Sequence, residues 1–322
     1  MLPTAPSAHP TLTLDSGLTA RPWAEGDDLK LLEVWGDPEN SMHHRDRSLL
    51  RPSSNKPWSR CIVAEHKGVP VAAATIFHST LHPDRLSFYA EVAPEHRRKG
   101  VAAQMLQILE AEVAKCDVQS LKARCAPGSA AQCFLKDNGF RKVQRSLQVI
   151  VNPQSLPVPD VENLAIDLEE IATGSVELTQ LVADFYNTVH DWDRAEMTLG
   201  RAQQMLLSSE SGATGAVVLR STAEVDDIDG EGPRPILAFA ISYTSESTDE
   251  PADVLLGWDP QLDQNSAKQA VLQLLGLVSA RYPVSVEVDD SMVPLKQITD
   301  ALDEQEDAEV DFETLIYVRD RS

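Results

Sequence analysis

The sequence predicts an α+β protein of two similar units, each a central mixed, largely antiparallel sheet flanked by helices. Three observations predict it. The chain has 322 residues, and a single core rarely grows much past about 250. The apolar pattern alternates between strand and helix periods in the same order in both halves. Setting Pro94 on Pro260 also lays Leu106-Gln107-Ile108-Leu109 on Leu272-Gln273-Leu274-Leu275, at the same place in the same helix.

In the first half, Leu12 to Pro22 reads as a strand. A helix opens at Asp27-Asp28, with Leu29, Leu32 and Trp35 on its apolar side. Ser41 to Pro57 is polar, with His43-His44 and Pro52, and reads as an irregular substrate loop. Lys67-Gly68 separates the apolar runs Cys61–Ala64 and Val69–Phe77, which makes a hairpin. Arg85 to Ala93 is a strand running into Pro94. From Gly100 the period becomes helical, with Val101, Met105, Leu109 and Val113 on one stripe. Ser120 to Ala126 is a strand. Ser129 to Asp137 is a short helix closed by Asn138-Gly139, and Val143 to Val151 is a last strand. Asn152 to Asp160 holds three prolines and reads as an extended linker.

The second half reads strand, helix, helix, strand: Leu164–Ile171, Val176–His190, Leu199–Ser208 and Gly215–Arg220. After an acidic loop, Glu224–Gly232, come strands Pro235–Tyr243 and Val254–Trp258. Helix Ser266–Tyr282, strand Val284–Val288, helix Val293–Leu302 and strand Phe312–Val318 complete it. The expected division is a flexible start at 1–11, a first domain at 12–151, the linker at 152–160 and an acidic second domain at 161–322.

The net charge is −22, and it is unevenly spread. Up to Pro153 there are 19 Lys+Arg against 16 Asp+Glu, a balance of +3; the remaining 9 basic and 34 acidic residues give −25. Such a second half repels polyanions, which argues against a nucleic-acid partner and suits a cationic one. The same acidity also serves solubility. The amino terminus has neither a basic start nor an apolar run, and no stretch reaches the roughly 18 apolar residues of a membrane span. Cys61, Cys116, Cys125 and Cys133 lack paired spacing and no His clusters with them. They read as reduced thiols of a cytoplasmic protein with no metal site.

The chemistry concentrates at Val92-Ala93-Pro94-Glu95-His96-Arg97-Arg98-Lys99-Gly100-Val101-Ala102. A strand ends, a basic turn follows, and a glycine admits the chain into a helix. The first N–H groups of a helix point outward unpaired, and its dipole favours an anion. Gly100 lets an anion approach the backbone, and the cations add charge-assisted contacts. The turn suits a pyrophosphate.

Arg97-x-x-Gly100-x-Ala102, after a strand ending Val92-x-Pro94, resembles the acetyl-CoA motif of the GNAT acyltransferases. Phe134-Leu135-Lys136-Asp137-Asn138-Gly139-Phe140 is similar to the family's later segment, a short helix ending in Gly-Phe. The resemblance covers residues 12–151. It implies a splayed pair of central strands, with the pantetheine arm of acetyl-CoA paired along Ala90, Glu91 and Val92. It implies the pyrophosphate on Arg97, Arg98, Lys99, Gly100, Val101, Ala102 and Ala103. An amine acceptor, of a small molecule or peptide, would attack the thioester directly in a ternary complex.

The departures bear on catalysis. Where relatives often carry a Tyr as acid, this chain has Leu135, and where they often carry a cofactor-contacting Asn it has Gly128. Glu91 reads as a structural residue more than as a base, since Phe88, Ala90 and Val92 share the other strand face. No acid or base is assigned from the sequence. In the second half Asp263 stands where Arg97 does and Ser266 where Gly100 does, so that unit reads as one that has lost cofactor binding. Tyr186, His190 and Trp192 read as core or interface residues. The leading reading is an N-acetyltransferase; the alternative is a non-catalytic acyl-CoA sensor whose acidic half binds a partner.

Overall fold

The computed structural model describes residues 11–113, 118, 120–160, 164–222, 234–244 and 250–320. The first ten residues, Cys116 and the acidic loop at 224–232 lie outside them. The chain divides into two compact units, the first of residues 1–143 with 316–322, the second of residues 144–315.

In the first unit β1 (Leu12–Thr13) and β2 (Thr19–Pro22) form a hairpin where one strand was expected. Gly17, at φ 78°, turns the chain between them. Helix α1 (Asp27–Trp35) is anchored by the buried Asp27 carboxylate, which accepts from Ala24 N–H at 2.7 Å and from Arg21 at 2.7 and 2.9 Å. That anchor fixes the helix rotation. Leu31, one turn on, is buried, whereas the expected Leu29 and Leu32 are 65% and 40% exposed.

The expected irregular loop contains helix α2 (Ser41–Arg47) and a short strand, β3 (Ser54–Asn55). Asn40 caps α2 by accepting the His43 N–H at 2.8 Å. Next come β4 (Trp58–His66), β5 (Val69–His78) and β6 (Arg85–Val92), an antiparallel meander whose first turn is Lys67-Gly68, both at positive φ. Cys61, Val63 and Ala73 face Leu31, Leu50, Trp35 and Tyr89. The alternate residues face the other side, where α3 (Val101–Val113) packs with its whole expected stripe buried. Strand β7 (Ser120–Cys125) and helix α4 (Ala130–Asp137) follow; Ser129 caps α4 and Gly139, at φ 78°, ends it.

The second unit takes up most of β8 (Arg141–Val151). It adds β9 (Ile166–Ile171), α5 (Val176–Val189), α6 (Leu199–Ala202), β10 (Ala213–Ser221), β11 (Ile236–Tyr243) and β12 (Ala252–Trp258). Helix α7 (Gln264–Val278), β13 (Val284–Asp289), α8 (Val293–Glu304) and β14 (Ala308–Asp320) complete the chain. Its strand order is β9-β10-β11-β12-β13-β8 with the start of β14 beside β8. Helix α7 ends before Tyr282, which is 71% exposed.

These compact units do not follow the expected 12–151 and 161–322 division. Strand β8 lies in the second unit from residue 144, with Val149 opposite Val286 and Val151 opposite Val284. The end of β14, from Ile316, lies in the first unit next to β7. There Tyr317 is buried and accepts from Gln132 Nε2 at 2.9 Å. Arg319 donates to the Asn138 carbonyl at 2.7 Å, pairs with Glu110 and lies over the Phe140 ring at 4.7 Å. The last strand therefore clamps α4 and its Gly-Phe end.

Nor is 152–160 a free linker. Asn152 N–H and Ser155 Oγ both donate to the Asp307 carbonyl, at 3.0 and 2.9 Å, and Leu156 is buried. Gly276 of α7 admits the segment, since a Cβ there would stand 2.8 Å from the Pro157 carbonyl oxygen. Prolines stiffen this segment, and the apolar Leu156 docks it.

Candidate active site

The site grows from the end of β6. Strands β6 and β7 run parallel and pair only over Arg85–Ser87 and Ser120–Lys122, after which they diverge. Ala93 N–H donates to the Val71 carbonyl at 2.8 Å. By the alternation of an antiparallel ladder, Ala90 and Val92 then turn their N–H and C=O groups away from β5, toward the open edge. Glu91 turns its backbone toward β5, so its side chain and not its main chain is what it offers the site.

Beyond β6 a short turn, Pro94–His96, leads to Arg97. Arg97 Nε donates back to the Val92 carbonyl at 2.8 Å, and Lys99 Nζ to the Glu95 carbonyl at 2.8 Å. Both cations therefore brace the turn. Arg98 and Gly100 take positive φ, 61° and 73°. Gly100 has no side chain with which to cap α3, and its carbonyl accepts the first helical bond, from Gln104 N–H at 3.0 Å. The N–H groups of Val101, Ala102 and Ala103 precede that bond and face outward. His96 is held below the ordinary imidazole range, first by partial burial and then by the Lys99 charge.

The open edge and the turn line one cleft of about 860 Å³. Ala90, Glu91, Val92, Arg97, Arg98, Gly100, Val101, Ala102 and Ala103 all line it; Lys99 does not. On the α4 side Phe134 stacks on Phe88 with centroids 6.2 Å apart. Leu135 is buried there and brings no hydroxyl. Cys125 also lines the cleft, its thiol pushed up to about 11 by burial.

The α2 side of the cleft is what sequence reasoning missed. Glu39, His43 and Asp46 line it. Arg47 donates to both Glu91 carboxylate oxygens, at 2.7 and 2.8 Å, and lies over the Trp35 ring at 5.2 Å. Tyr89 OH donates to Glu91 Oε2 at 2.9 Å, and His43 Nε2 stands 3.3 Å from Oε1. Burial pushes the Glu91 carboxyl up, but Arg47 and the Tyr89 hydroxyl outweigh it, and the group is held below the usual carboxylate range. Tyr89 is raised by burial and then by the Glu91 charge. Asp46 pairs with Arg124 of β7. The one available sequence signal was Asn40 as a helix cap, since α2 has no apolar stripe to announce it.

In the second unit the corresponding turn is closed. Asp263 caps α7, accepting from Asn265 N–H at 2.9 Å, Ser266 N–H at 3.2 Å and Ser266 Oγ at 2.6 Å. These bonds, led by the Ser266 hydroxyl, hold its carboxyl below the ordinary range. A carboxylate already occupies the place an anion would take. Tyr186 and His190 stack at 3.9 Å in this unit. Among the described residues no group of three or more His, Cys, Asp or Glu could hold a metal, and no helix is long and apolar enough to cross a membrane.

Residues 57–142 match the family model described as acetyltransferase (GNAT) domain. No curated protein matches the sequence. Among solved structures, a GCN5-related N-acetyltransferase from Sphaerobacter thermophilus is similar at TM-score 0.60 and 17% identity, covering 96% of this chain and 97% of that one. A tandem GNAT protein from the clavulanic acid biosynthesis pathway gives TM-score 0.57 and 15% identity over 94% and 98%. A GCN5-related N-acetyltransferase from Anabaena variabilis gives TM-score 0.54 and 13% identity over 94% and 72%. At these identities the likeness is one of fold. The chain has the fold of the tandem GNAT proteins, and its first unit carries the GNAT domain.

Proposed function

We propose that the protein is an N-acetyltransferase that moves an acetyl group from acetyl-CoA to a primary amine of a small molecule or peptide, by direct attack in a ternary complex. One observation carries this reading: a strand edge at Ala90 and Val92, its Val92 carbonyl held by Arg97, runs within a single cleft into a helix N-terminus flanked by Arg97 and Arg98. The edge fits an amide-bearing arm, and the turn fits a pyrophosphate. Acetyl-CoA supplies the activated carbonyl. The first unit alone would bind it, because Asp263 opposes an anion in the second. The acceptor would enter beside α2, and the acidic second unit would favour a cationic one. We place the protein in the cytoplasm.

The sensor reading is favoured by Leu135, which itself brings no hydroxyl to the cleft for the departing thiolate. Calorimetry with acetyl-CoA decides the first point: one site per chain is expected, and two or none would contradict the assignment. Release of CoA thiol across a panel of primary amines decides the second. Binding without thiol release from any of them would favour the sensor.

A further inference from the structure

We infer that His43 is the general base of the reaction, with Glu91 orienting its imidazole. The inference rests on the acyl-transfer reading above. His43 lines the cleft from α2. Its Nδ1 accepts the Glu39 backbone N–H at 3.4 Å, and its Nε2 stands 3.3 Å from Glu91 Oε1. An acceptor at Nδ1 puts the ring proton on Nε2, which donates to the carboxylate. The Nδ1 lone pair is then the basic site, covered only by a long backbone contact that a substrate amine can replace.

The surrounding charges fit that role. From β6, Glu91 and Tyr89 face the ring; on its own side stand Glu39, Asp46 and Arg47; from β7, Arg124 pairs with Asp46. Arg47 and Tyr89 keep Glu91 ionised, so this carboxylate is a poor proton acceptor and a good partner for an imidazolium. The Tyr89 hydroxyl is committed to Glu91, and Cys125 is pushed up by burial. His96 sits at the phosphate end of the cleft, beside the cationic turn.

In the step, the amine lone pair attacks the thioester carbon while an N–H proton passes to His43 Nδ1. The C–S bond breaks with its electron pair on sulfur. The imidazolium proton reaches the thiolate through solvent, leaving amide and CoA thiol.

Bromoacetyl-CoA tests this without a known acceptor, because a nucleophile beside the thioester displaces bromide from the methylene next to the carbonyl and becomes labelled. Peptide mass spectrometry should place the label on His43. It should be suppressed by excess CoA, absent in His43→Gln, and at least about tenfold slower in Glu91→Gln. Label confined to Cys133 or another residue, or no label although calorimetry shows bromoacetyl-CoA bound, would overturn the assignment. Failure of bromoacetyl-CoA to bind at all would instead overturn the acyl-CoA reading beneath it.

Discussion

With Pro94 set on Pro260, the two units place different residues at one cross-strand position. In the first, Ala73 of β5 lies opposite Glu91 of β6. In the second, Phe239 of β11 lies opposite Gly257 of β12. The small–polar pair leaves room for Arg47, Tyr89 and His43 around a carboxylate. The large–small pair is apolar: a Cβ on Gly257 would meet the Phe239 ring at 2.3 Å, and Phe185 packs on both Phe239 and Trp258 at 5.4 and 4.8 Å. The next residues follow suit, with Gly100 leaving α3 open and Asp263 closing α7. One backbone thus serves two ends, and the side chain at a few register positions decides between a chemical cleft and a packed core.

The sharpest way to break this comparison is Gly257→Ala. Overpacking against a buried ring costs about 1–3 kcal/mol, so denaturant unfolding should show a clear loss while acetyl-CoA affinity stays unchanged. A stable variant would mean that Phe239 can move and that the packing is not what distinguishes the units.

Gly100→Val is the mirror test. A β-branched residue at φ 73° costs about 1–2 kcal/mol in backbone strain. It also crowds the anion, so acetyl-CoA should bind about tenfold more weakly or worse, with circular dichroism unaltered. Unchanged affinity would remove the pyrophosphate from this turn.

Asp263→Ala should lower stability through the lost cap and create no second acetyl-CoA site. A two-site titration would show that the carboxylate alone had kept the cofactor out.

The smallest effect is expected at Asp289, buried at the end of β13, where desolvation raises the carboxyl above its ordinary range despite Ser146 and Gln144. A carboxyl raised on folding contributes stability that is complete below its unfolded pKa and is lost as pH rises through the folded one. Asp289→Asn should therefore melt higher than wild type at neutral pH, with the gap closing on acidification. A gap that widens on acidification would reverse the sign.

Much of the fold was legible because helices such as α3 and strands such as β6 announce themselves by period. The basic glycine turn was legible as a turn leading into a helix, because its glycine and cations are contiguous. Helix α2 was not, because six polar residues and a single Met42 make no stripe and only Asn40 marks its start. The Glu91 network was illegible for another reason: Arg47 stands 44 residues from Glu91 in sequence, and only the fold brings them together. The strand exchange was hidden because β8 and β14 read correctly as strands, while nothing in their alternation says which neighbour each will take.

That exchange has a consequence for how the protein is made. The residues that hold α4 and the Gly-Phe end in place, Tyr317 and Arg319, come after the whole acidic stretch in the chain. Domains usually fold as they emerge, amino-terminal first. Here the first unit must wait for β14, so α4 is braced only after the acidic stretch between them has been synthesised. A gene trimmed to the unit that carries the site would lose the strand that finishes it.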